Sequence, residues 1–388
     1  MSNIKEQNRG LVNVLKRRIG EKSPLIQVVI GPRQVGKTTA LKAALDGNGI
    51  YHSADYPTPL SSEVLTKWWD EAEQDKSRLL AVDEIQKITG WSETVKYLWD
   101  KSKNMKLIIT GSSSLLVEKG LKETLAGRFE LIRVEHWNYS EAASVFNLSL
   151  RQFIEFGCYP GSIQFLEDRT RWSAFVRDAI VEPAIGRDLL QLYPIENPAL
   201  IRQIFGAAVS LPAQLISIQK LQGTLQEKGA VPTISHYLSL LAEAFLVTGV
   251  QKYSPAQFRA RKSIPKLIIH DNALCRAFER PVAEDIDANR FGRYLENSVG
   301  ARFIEAGWDT YYWKHRDFEV DFVVIGPENQ KWAIEVKAGK TSLVELRGLF
   351  EFCKEHTEFE PRLISFVDQA IDGICSLDLR KILSLSRQ

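Results

Sequence analysis

Two periodicities divide the chain. In the first third, short apolar runs ("LIQVVI" at 25–30, "LLAV" at 79–82, "KLII" at 106–109) alternate with stretches that carry apolar residues at helical spacing ("TTALKAAL", "WSETVKYLWDKSK"). Uninterrupted apolar runs suit strands buried on both faces, and alternation with helices assembles such strands into one parallel sheet. Residues 25–134 are therefore predicted to form a three-layer α/β core. The middle of the chain, from about Trp137 to Arg280, is mostly helical in pattern, as in "LSLRQFIEFG" and "RTRWSAFVRDAIVEPAIGRDLLQL". The last third changes to period two. "RDFEVDFVV" and "QKWAIEVKAG" flank a Gly/Pro loop and read as two alternating strands of a hairpin.

Within the middle region, "ISIQKLQGTLQEKGAVPTISHYLSLLAEAFLVTGVQKYS" reads as helix, turn, helix, then strand or wing, and resembles a winged helix. Its second helix carries Thr233, Ser235, His236, Tyr237, Ser239 and Glu243 at polar positions, with no Lys or Arg. A major-groove reader needs cations for phosphate, so packing or lid duty over a nucleotide site is the expected role. The following "QFRARKSIPK" holds Arg259, Arg261, Lys262 and Lys266 without an acid. It is either a grip for a nucleic-acid backbone or a solvated loop. The expected segments are 1–136, 137–205, 206–280 and 281–388.

Composition narrows the field slightly. With 388 residues, two or three domains are expected. The 44% hydrophobic and 25% charged content is that of a soluble globular protein, and a net charge of +2 gives no bulk attraction to nucleic acid or membrane. The four cysteines show no C-x-x-C spacing, which fits a reducing cytosol and a cytoplasmic location. The first twenty residues mix charges and lack the apolar core of a signal peptide.

The chemistry concentrates in a few motifs. Gly31, Pro32, Arg33, Gln34, Val35, Gly36, Lys37 and Thr38 spell G-x-x-x-x-G-K-T between a predicted strand and a predicted helix, and Thr39 continues that helix. In that context, backbone N–H groups and the helix N-terminus cradle phosphates, Lys37 reaches the β- and γ-phosphates, and Thr38 offers its hydroxyl to Mg²⁺. Asp83 and Glu84 end the 79–82 run, at the rim where open α/β sheets bind ligands. Asp83 is expected in the Mg²⁺ shell and Glu84 as the group that orients or deprotonates water; the alternative is a helix N-cap pair. Of Thr110, Ser112 and Ser113, one is expected to sense the γ-phosphate, Ser112 being preferred; N-capping of the next helix is the alternative. Arg128 is placed to contact phosphate in its own subunit or across an interface, unless it is a plain surface arginine.

Taken together, "GPRQVGKTT", "AVDEIQK", "LIITGSSS" and "LAGR" resemble the AAA-like ATPase domain of a large prokaryotic family in which that domain precedes a DUF4143 domain. "FGCYPG", "IGRDLLQLYPIEN", "YLENSVGARF" and "EVDFVV" extend the likeness over nearly the whole chain. In the last third, a loop at Gly326 to Gln330 sets Val324 against Trp332, Phe322 against Ile334 and Asp321 against Glu335. Facing residues have Cβ atoms about 5 Å apart, where like charges are destabilising, and a divalent cation removes that penalty. Period two also brings Lys337 to the same face. The pattern Asp321…Glu335-x-Lys337 resembles the PD-(D/E)xK nuclease core, and that resemblance implies Glu296 as a further acidic ligand and Mg²⁺ or Mn²⁺ as a second metal. A surface salt bridge of Lys337 with Glu319 is the bland alternative. A proline-aspartate turn before Asp321 is missing.

The expected protein is thus a Mg-ATP-binding ATPase. It has a P-loop core, a helical and winged-helix segment, and a restriction-endonuclease-like α/β domain acting on DNA or a protein partner. The alternatives are an ATP-regulated metal-dependent nuclease and an ATP-switch scaffold with an inactive nuclease-like domain. No membrane partner is expected, and oligomerisation is compatible with the motifs.

Overall fold

The structure is a computed structural model describing residues 9–22, 25–102, 104–111, 122–190, 193, 195–227, 229–255, 264–280 and 285–387. Ser112, Ser113, Arg259, Arg261 and Lys262 lie outside the described residues. The chain divides into two compact units, Met1–Val134 and Glu135–Gln388. The three segments separated by pattern after residue 136 thus form one unit. No helix among the described residues is long and apolar enough to cross a membrane.

In the first unit, β1 (Ile26–Ile30), β2 (Ile50–Ser53), β3 (Leu79–Asp83), β4 (Lys106–Gly111) and β5 (Phe129–Arg133) form one sheet in the order β2-β3-β4-β1-β5. Every pairing is parallel. The residues of β1 and β3 are all buried, as uninterrupted apolar runs require. Short β2, "IYHS", is half-buried and has no apolar run, so patterning did not single it out. One core joins Val28, Leu80, Val82 and Ile109 of the sheet to Trp69 and Val95 of the helices Glu63–Gln74 and Trp91–Lys101. Parallel order brings the C-terminal ends of β1, β3 and β4 to a common rim.

The second unit begins with helices, among them Tyr139–Phe146 and Leu150–Phe156, each started by a capping box. Helix Pro198–Val209 leads to β6 (Gln214–Leu215), helices Ile218–Thr224 and Val231–Glu243, and then β7 (Val247–Val250) and β8 (Lys266–Ile269). These strands make a three-stranded antiparallel sheet with β8 in the centre. Two polar residues of helix Val231–Glu243 are used internally: Tyr237 accepts from the Asn197 N–H (3.2 Å), and Glu243 accepts from the Tyr193 hydroxyl (2.6 Å).

Helix Ala288–Glu305 then precedes β9 (Asp309–His315), β10 (Phe318–Ile325) and β11 (Lys331–Lys337). Helix Arg347–Glu355 leads to β12 (Glu360–Ser365) and β13 (Cys375–Leu377). The five strands lie in sequence order; β9, β10 and β11 are antiparallel neighbours, whereas β12 and β13 join in parallel. The β10–β11 register sets Phe322 against Ile334 and Val324 against Trp332. A register shift between Val320 and Val323 in the pairing with β9 falls at Asp321, and such bulges re-aim side chains.

Candidate functional sites

The first site stands on the rim of the parallel sheet. Gly31 follows β1 and runs so close to Val134 that a Cβ would lie 2.5 Å from the Val134 carbonyl oxygen. Gly36, at φ 88°, turns the chain into helix Lys37–Leu45, a conformation that glycine adopts without strain. Lys37 is 7% exposed and donates to the carbonyls of Gly31 (2.9 Å) and Pro32 (2.5 Å). Burial lowers its pKa to about 8, with Arg9 and Arg33 adding to the shift against Glu84 and Asp83. The Thr38 hydroxyl donates to Asp83 Oδ2 at 2.7 Å, so the two oxygen ligands expected to share one cation are already neighbours. Oxygen donors of this kind suit Mg²⁺.

Asp83 collects more hydroxyls than patterning indicated. Tyr51 donates to Oδ2 (3.2 Å) and Thr110 to Oδ1. Among the residues considered for γ-phosphate sensing, Thr110 is therefore tied to Asp83. Glu84 has left-handed backbone (φ 56°) and makes no side-chain cap, which removes the N-cap alternative for this carboxylate. Its Oε2 accepts from Gln86 (2.6 Å), and burial raises its pKa.

Arg128 differs from expectation. Its carbonyl accepts from the Ile26 N–H at the start of β1, whereas the phosphate loop follows the end of that strand. At 3.3 Å per residue, β1 separates the two by roughly 13 Å. The guanidinium is forked onto Asp100 at 2.7 and 2.9 Å. Contact with phosphate in its own subunit is thus not what this geometry provides. The nearer cation is Arg9, 4% exposed, whose Nη1 donates to the Val35 carbonyl. It lies far upstream in sequence and no local pattern marked it.

The second site lies in the second unit. Helix Ala288–Glu305 is fastened to β8 by the buried Asn297, which accepts from the Ile269 N–H (2.8 Å) and donates to the Ile269 carbonyl (2.7 Å). This places Lys266 of β8 against Glu296 of the helix. Lys266 is 1% exposed; its ammonium pairs with Glu296, stands 3.7 Å from Asp321 Oδ1 and donates to the Asp321 carbonyl (3.1 Å). The expectation that Lys266 belongs to an exposed basic segment is therefore corrected: β8 is a central, buried strand. Asp321 Oδ2 accepts from the Val336 N–H (2.9 Å), and Lys337 pairs with Glu335 at 2.8 Å. Lys337 does not take Glu319, which pairs with Lys314.

Glu296, Asp321, Glu335, Lys266 and Lys337 thus form one cluster of three carboxylates and two ammonium groups. Burial, then Asp321, pushes Glu335 up to about 8 and Glu296 up to about 7. Burial opposes the Lys266 ammonium, but Glu296 and Asp321 outweigh it and raise its pKa.

A third buried group joins His136 and His270 through their Nδ1 atoms to Glu305. Each second ring nitrogen has a hydroxyl partner, Tyr159 for His136 (3.0 Å) and Thr248 for His270 (2.8 Å). Glu305 Oε2 also accepts from the His136 N–H (3.1 Å) and faces Arg302 at 3.4 Å. Every nitrogen is satisfied, as in a structural network.

Comparison with known proteins agrees with the fold of the first unit. Residues 23–143 match the family model described as an AAA domain, and the first unit is an AAA-like P-loop ATPase domain. Residues 147–285 and 291–374 match two domains of unknown function, DUF8612 and DUF4143. An uncharacterised protein of Methanocaldococcus jannaschii is 26% identical over 276 residues, covering 65% of this chain and 59% of its own length. An uncharacterised protein of Haemophilus influenzae is 24% identical over 327 residues, covering 77% of this chain and 79% of its own. Solved structures with distant likeness include DnaA from Aquifex aeolicus bound to AMPPCP (16% identity, 61% of this chain and 88% of that one, TM-score 0.34). Another is the Aeropyrum pernix ORC1 protein in complex with DNA (13%, 74% and 93%, TM-score 0.31).

Proposed function

We propose that the chain is a magnesium-dependent ATP hydrolase that couples nucleotide state to a nuclease-like domain in the second unit, acting on DNA or on a protein partner. The Thr38–Asp83 hydrogen bond carries the reading, because it joins the two motif oxygens that hold magnesium in P-loop enzymes. Residues 31–39 cradle the phosphates, with main-chain N–H groups offered by all of them except Pro32. Lys37 meets the β- and γ-oxygens. Glu84, whose pKa is raised by burial, orients and deprotonates the attacking water. Magnesium, which Thr38 and Asp83 would hold, would neutralise phosphate charge. Ser112 remains the proposed γ-phosphate sensor, and any phosphate contact by Arg128 is one made across a subunit interface. The test is ATP turnover by the purified chain in Mg²⁺; absence of turnover in wild type sinks the proposal.

A second reading, a metal-dependent nuclease, is favoured by the gathering of Asp321, Glu335, Lys337 and Glu296 in one partly buried cluster. The element order helix, β9, β10, β11, helix, β12 supports the PD-(D/E)xK resemblance. In this reading Asp321 and Glu335 hold Mg²⁺ or Mn²⁺, and Lys337 supports the nucleophile. Plasmid and single-stranded DNA left uncut with either metal would remove it and leave an ATP-driven switch.

A further inference from the structure

We propose that Lys266 permanently fills the cation position between Glu296 and Asp321 in the carboxylate cluster. The cluster then takes at most one divalent ion, between Asp321 and Glu335, and takes it without Glu296 as a ligand. This rests on the nuclease-like reading of the cluster, but concerns a residue which that reading does not use.

The geometry carries it. The Lys266 ammonium lies between the carboxylates of Glu296 and Asp321, the place where a metal bridging those two groups would sit. It is not a side chain that can swing aside. Its strand is paired on both edges, with β6 and with β7, and bound to helix Ala288–Glu305 through Asn297. Its ammonium also donates to the Asp321 carbonyl and stands 4.8 Å from the Phe322 ring centroid. Oxygen ligands approach Mg²⁺ or Mn²⁺ at about 2.0–2.4 Å, so an ion entering this place would have to expel an ammonium whose side chain is 1% exposed. The other side of the cluster is different. Asp321 Oδ2 is aimed at β11 by the Val336 N–H, and Glu335 pairs with Lys337, whose side chain is 30% exposed and free to yield to an ion.

The test counts Mn²⁺ by electron paramagnetic resonance on the intact, nucleotide-free chain. Each count is taken as the difference from the same chain carrying Asp321→Asn, which subtracts ions held by the first unit. One ion is expected for wild type and for Glu296→Gln. Two are expected for Lys266→Met, the second lost again in the Lys266→Met, Glu296→Gln double variant. Two ions in wild type, loss of the ion in Glu296→Gln, or no gain in Lys266→Met overturns the inference. The amide of Glu296→Gln keeps a hydrogen bond to Lys266, so that arm stands if Lys266→Met does not fold. No ion in wild type with one gained in Lys266→Met supports the role of Lys266 and sinks the metal-dependent nuclease reading instead.

Discussion

Each unit holds a lysine buried beside acidic groups, and the two are set in opposite ways. Lys37 donates to two main-chain carbonyls, and burial brings its pKa down to about 8. Lys266 is pinned between Glu296 and Asp321, which raise its pKa against the effect of burial. Carbonyl dipoles do not neutralise an ammonium; carboxylates do. The first lysine therefore keeps charge to offer to an incoming phosphate, whereas the second has spent its charge inside the protein. Burial alone does not tell a functional cation from a structural one; the partners decide.

Substitutions sharpen that contrast, beginning with the largest effect. Lys37→Ala should abolish ATP turnover while leaving the unfolding temperature unchanged or higher, because a poorly compensated buried ammonium is removed; thermal unfolding and phosphate release report the two. Glu84→Gln should keep nucleotide affinity and reduce turnover by about 10²–10⁴-fold, the usual range for a general base. Lys266→Ala should do the reverse of Lys37→Ala: it leaves two carboxylates facing each other in the interior and should cost about 3–5 kcal/mol in denaturant unfolding. Preserved stability in this variant would break the comparison.

A smaller effect concerns pH. The Glu335 carboxyl is shifted up from near 4.5 to about 8. A raised carboxyl pKa means that the folded protein binds the extra proton, so this stability is complete below about pH 4.5 and is lost as pH climbs through about 8. The unfolding temperature should fall across that window, and Glu335→Gln should flatten the fall. Smallest of all, Arg128→Ala should leave nucleotide affinity unchanged, since its partner Asp100 is exposed and its strand end is remote from the loop. Loss of turnover with unchanged affinity would assign Arg128 to a neighbouring subunit's site.

Much of the first site was legible because its parts are contiguous. Residues 31–36 are one loop that runs straight into the helix carrying Lys37 and Thr38, and Asp83 ends an apolar run, so strand order alone delivers these groups to the rim. The β10–β11 register was legible for a similar reason: alternation and one short loop leave a single pairing that buries Phe322 and Val324. What escaped was built by packing between distant segments. Arg9 reaches Val35 across 26 positions, and Lys266 reaches Glu296 only because Asn297 clamps its helix to β8. Lys266 was grouped with its basic neighbours in sequence; the strand buries it and separates its role from theirs. For Arg128, its place beside a strand did not say which end of the sheet it occupies, so the sequence left contact within its own subunit, contact across an interface and a plain surface role open.

The contact of Gly31 with Val134 has a mechanical consequence. Val134 is the last residue before the chain crosses into the second unit at Glu135, and it lies against the first residue of the phosphate loop with no room for even a methyl group. Gly31→Ala should therefore disturb the phosphate loop and the backbone that leaves the first unit together.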